Sequence, residues 1–162
     1  MAGGVTEPPA PAAAGRVDRL VVLRAAAYGQ LLAMPGALVN SAVSGRDGAS
    51  DAALALSFLA VVAGFAVAGF AAGRNATHDI ARHGAFAGLV AFVPVELLAI
   101  LGRLDRGDPI RLLTIVVHAA IAASLAMGVA RLGARRRSAT AATDGAAPAP
   151  HPSTTPDRED RS

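Results

Sequence analysis

Between Ala52 and Gly73 the chain runs for twenty-two residues without a charge, and its one polar side chain there is Ser57. A helix of that length rises about 33 Å, enough to cross the hydrocarbon core of a bilayer. A helix lying on a soluble core would need a charged or polar face toward water, and this segment offers none. The stretch therefore belongs in a membrane, and its neighbours have to be compatible with that.

Three further apolar blocks meet the same length requirement, at about 25–45, 84–102 and 112–130, and the connections between blocks are short. Short links make consecutive helices antiparallel. The sequence thus predicts an all-α fold, an integral membrane four-helix bundle over residues 20–134. Residues 1–19 are expected to be a disordered cytoplasmic tail, since their Pro, Ala and Gly content supplies nothing for a core. Residues 135–162 are expected to be a basic and then disordered cytoplasmic tail.

All fifteen basic residues are arginine, and there is no cysteine. Disulfides, thiol catalysis and cysteine metal sites are excluded. Arginine placement sets the orientation. Arg24 precedes the first span, Arg74 follows the second, and Arg135, Arg136 and Arg137 follow the fourth, all at one side. The arginines of the opposite side, at 46, 103, 106 and 111, are diluted by Asp47, Asp51, Asp105 and Asp108. The richer side is read as cytoplasmic, which puts both termini inside a bacterial cytoplasmic (inner) membrane that the chain crosses several times. With the arginines at membrane boundaries, nothing points to nucleic acid; the partners expected are the lipid bilayer and other membrane proteins or a second copy.

Small residues mark where helices approach. Gly64, Ala68, Gly69 and Gly73 in the second span, with Gly84 and Gly88 in the third, allow close backbone contact where lipid leaves little hydrophobic drive between helices. Packing inside one bundle and oligomerisation both use such a stripe. Pro35 and Pro94 are expected to kink the first and third spans, because each removes a helical hydrogen bond.

Polar side chains inside the blocks are the main functional lead. A carboxylate at the middle of a membrane helix costs about 2.5–3.5 kcal/mol on insertion scales, so Glu96 needs a reason to be there. At 1.5 Å per residue, Glu96 and His118 lie ~9 Å from the non-cytoplasmic ends of their spans, and Asn40 and Ser57 ~8 Å from theirs. One polar group per helix at matching depth forms a layer. It serves either as a hydrogen-bonded structural register or as a proton relay between Glu96 and His118. His78, Asp79 and His83 fall in a cytoplasmic connection; their spacing does not share one helical face, and a solvated loop without metal is expected.

Gly64–Arg74 (GFAVAGFAAGR), a short basic loop and His83–Gly88 (HGAFAG) resemble the small uncharacterised four-span membrane proteins of Gram-positive bacteria and actinobacteria. The resemblance spans roughly residues 20–132 and implies a membrane location. No catalytic or cofactor motif occurs, so the sequence favours a non-enzymatic accessory or assembly component of the cell envelope, with no cofactor and no metal. The alternative is a small proton-coupled transporter or channel subunit that uses Glu96 and His118.

Overall fold

A computed structural model describes residues 16–44, 46 and 48–145. Four helices account for almost all of them: α1 Arg19–Ser44, α2 Asp51–Asn75, α3 Ile80–Arg106 and α4 Leu112–Gly145. All four are long and apolar enough to cross a membrane. Of the tails expected at 1–19 and 135–162, residues 1–15 and 146–162 lie outside the described residues.

Each helix extends past its apolar block at one end or both. The block marks where lipid is tolerated, while arginine is a good helix former and lets the helix run on past it. The largest difference is in α4. The helix continues for fifteen residues past the apolar block, through residues 135–145 that were expected to belong to a tail.

The ends are fixed by specific groups. Asp18 caps α1, its Oδ1 accepting from the backbone N–H of Leu20 at 2.9 Å and of Val21 at 3.3 Å. Gly107, at φ 71°, ends α3 in the left-handed conformation that glycine reaches without Cβ strain. The Asp108 N–H then reaches back to Arg103 O at 2.9 Å and the Gly107 N–H to Leu104 O at 3.1 Å, satisfying two carbonyls that would otherwise be orphaned. Pro35 and Pro94 both sit within unbroken helices. Pro94 leaves Val90 O without its helical donor, and one residue along, Gln30 of α1 donates its side-chain amide to Ala91 O.

Around the bundle the order is α1, α2, α4, α3. The α2 and α3 helices touch across the short diagonal, whereas α1 and α4 do not touch. The small residues are all used within this one bundle. Gly64 faces Ala33 and Gly29 of α1; Gly69 and Gly73 face the backbone at Ala126 and Ala130 of α4. Gly84 and Gly88 of α3 close on the same α4 stripe, and Ala68 is fully buried beside Gly29. The contacts therefore form one continuous seam along the half of the bundle that carries both described ends.

Candidate functional site

The opposite half is built differently. None of residues 112–121 of α4 is buried, and the helix first enters the core at Ala122. Where the small-residue seam ends, phenylalanines and polar residues replace it and a cavity of about 270 Å³ opens among all four helices. Each helix lines it with residues three and four apart, the spacing of one helical face. From α1 these are Ala37, Asn40, Ser41 and Ser44; from α2, Phe58, Val61, Val62 and Phe65. The α3 stripe descends from Arg106 and Arg103 through Ala99 and Glu96 to Phe92, and α4 adds His118, Ile121 and Leu125.

The four polar residues of the sequence layer fall into two pairs, and all but Ser57 line the cavity. Ser57 donates its hydroxyl to Asn40 Oδ1 at 3.0 Å and also to Leu54 O at 2.9 Å, joining α2 to α1. On the other side, His118 Nδ1 lies 4.0 Å from Glu96 Oε2, joining α4 to α3. Glu96 is only 7% exposed, and its Oε1 has no hydrogen-bond partner. The side chain of His118 is 45% exposed, so the pair consists of a buried carboxylate and an accessible imidazole. No hydrogen bond links the two pairs, so the layer is two separate bridges.

Four polar cavity residues were not read as site residues in the sequence. Ser41 and Ser44 follow Asn40 along one face of α1, and Arg103 stands two turns from Glu96 on α3, with Arg106 a turn further. Arg106 pairs with Asp108 at 3.1 Å. The available signal was the helical spacing from Asn40 and Glu96; it was hidden because Arg103 and Arg106 lie beyond the apolar block.

The connection between α2 and α3 departs from expectation. His83 is buried, at 1% exposure. Its Nε2 accepts the Asp18 backbone N–H at 2.9 Å, and its Nδ1 lies 3.2 Å from Asp79 O. The acceptor role of Nε2 places the ring proton on Nδ1, aimed at that carbonyl. His78 crosses it edge-on at 5.5 Å and contacts Arg16 O at 3.0 Å. These imidazoles are a staple that holds the segment before α1 against the start of α3, and among the described residues no group of three His, Asp or Glu is placed to hold a metal.

The expected arginine anchors divide. Arg24, Arg74, Arg135 and Arg136 are exposed. Arg137 is half-buried and donates to Ala76 O and Arg74 O, capping the carbonyl end of α2 from α4.

No protein-family model, curated protein or solved structure matches this chain. Its function has to be read from the chemistry of the site.

Proposed function

We propose that the protein is a small proton-coupled transporter or channel subunit of the bacterial cytoplasmic membrane, with both termini inside and Glu96 and His118 exchanging the proton. The observation that carries this is the state of Glu96. A carboxylate retained only to fix helix register would be expected to use both oxygens in a network with Asn40 or Ser57. Instead those two bond each other, and Glu96 keeps one oxygen unpartnered beside a cavity. That His118 lies 4.0 Å away and half exposed supports a relay between that carboxylate and the cavity.

The test is proton flux into liposomes containing the purified full chain. Wild type is expected to conduct, and Glu96→Gln to lose flux while its helical content and elution volume stay unchanged. Equal fluxes from the two would sink the reading. Reporter fusions after Asp108 and after Gly145 test the orientation, the first expected outside and the second inside.

A second reading, an accessory or assembly component of the envelope, is favoured by the helical extension of α4 with its exposed Arg131, Arg135 and Arg136. Purification from native membranes in mild detergent decides it: a stoichiometric partner lost on truncation after Arg137 supports it, and a protein that elutes alone does not.

A further inference from the structure

The cavity is graded along its depth, and the gradient has a sign. Its floor is Phe65, Phe92 and Leu125; its waist is Asn40, Glu96 and His118; its mouth is Ser41, Ser44, Arg103 and Arg106. Two guanidiniums at the mouth stand against a single carboxylate at the waist, and that carboxylate already has an imidazole beside it. Arg106 is engaged by Asp108, while Arg103, half-buried, has no ion-pair partner among the described residues. With Arg106 paired, Arg103 is the cation left over in the lining of the mouth; an anion is drawn to it and meets the Ser41 hydroxyl as a further donor, the Ser44 hydroxyl being turned to Ser41 O at 3.3 Å.

Size and wall chemistry narrow the class. The volume, about 270 Å³, falls just under the ~300–1,000 Å³ typical of pockets for drug-sized ligands. The occupant is therefore small, on the scale of one ring with a short chain. Below the mouth the walls are Phe58, Phe65, Phe92, Val61 and Val62, which reward an apolar or aromatic body. A second negative group would be carried down toward Glu96, so the anionic end has to be single and terminal.

We infer that the cavity binds a small amphipathic monocarboxylate, its carboxylate held by Arg103 with Ser41 and its apolar body resting among Phe58, Phe65 and Phe92. This rests on the reading of the cavity as the working site and names its substrate class. Arg103 is the specificity-determining residue, because its planar guanidinium matches a carboxylate with two parallel donors.

The experiment uses the full chain in nanodiscs of zwitterionic lipid, titrated calorimetrically with 3-phenylpropionate and, separately, 3-phenylpropylammonium, with empty nanodiscs subtracted. The carboxylate is expected to bind and the ammonium not to. Arg103→Gln is expected to weaken carboxylate binding at least tenfold, Arg103→Lys by less, and Arg135→Gln, at the other end of the bundle, not at all. Thermal melts confirm that each variant is folded; if Arg103→Gln is not, Arg103→Lys with the charge-reversed ligand pair decides. Ammonium binding as strong as carboxylate binding, binding of neither, or an Arg103→Gln variant with unchanged affinity overturns the assignment. Carboxylate binding without proton flux defeats the transport reading alone, and proton flux without carboxylate binding defeats this one alone.

Discussion

Gly73 of α2 lies against the backbone carbonyl of Ala130 in α4, so close that a Cβ on Gly73 would overlap it. Gly69 stands in the same relation to Ala126 one turn away. These contacts join backbone to backbone, and no side chain is available to move aside.

Gly73→Ala and Gly69→Ala are therefore expected to destabilise the bundle by about 1–3 kcal/mol each, the usual range for overpacking. A Cβ on Gly128 of α4 would meet nothing within 4 Å. Gly128→Ala should be neutral or stabilise by roughly 0.5–1 kcal/mol through helix propensity. Denaturation by increasing SDS in mixed micelles, followed by circular dichroism, ranks the three. A Gly73→Ala variant as stable as wild type would contradict the seam.

The two polar bridges should differ in stability and in function. Ser57→Ala removes an interhelical hydrogen bond and should cost about 0.6 kcal/mol, the average for such bonds in membranes. Glu96→Gln should cost no more than about 1 kcal/mol, since one oxygen has no partner and the other is 4.0 Å from His118. The same denaturation assay measures both. A loss of more than about 2 kcal/mol in Glu96→Gln would mean that the carboxylate is mainly structural.

His83 is expected to control the segment ahead of α1. In His83→Ala the Asp18 N–H loses its acceptor, at a cost of about 1–3 kcal/mol for leaving a partly buried donor unpaired. Hydrogen exchange at residues 18–22 should speed up while exchange in α2 stays the same. Unchanged exchange at Asp18 would show that the staple does not hold.

Arg137→Gln should loosen the end of α2, with a loss of about 1 kcal/mol as the cation at a helix C-terminus is removed. Arg135→Gln, on an exposed face, should stay within about 0.5 kcal/mol of wild type. Protease cleavage between Arg74 and Arg82 reads the difference, and equal cleavage in the two variants would rule out the cap.

The helices were legible because each apolar block has to satisfy its own backbone in lipid, and length alone then dictates a span. The depth match of Asn40, Ser57, Glu96 and His118 was legible for the same reason, since rise per residue is fixed. Which of them pair was not, because that depends on helix rotation and on α1 meeting α2 while α4 meets α3. The Ala122, Ala126, Ala130 stripe was hidden in an alanine-rich helix whose spacing stands out only against the glycines opposite. The burial of His83 escaped notice because its partner, Asp18, is 65 residues away in sequence.

The length of α4 has a consequence beyond the bundle. Its apolar part, 112–130, rises ~28 Å and uses up the hydrocarbon thickness. The fifteen residues that follow, to Gly145, add roughly 20 Å in the same direction. The helix thus acts as a spacer: with 112–130 in the hydrocarbon, Arg131, Arg135 and Arg136 fall at headgroup depth and Gly145 stands a further ~13 Å along the axis.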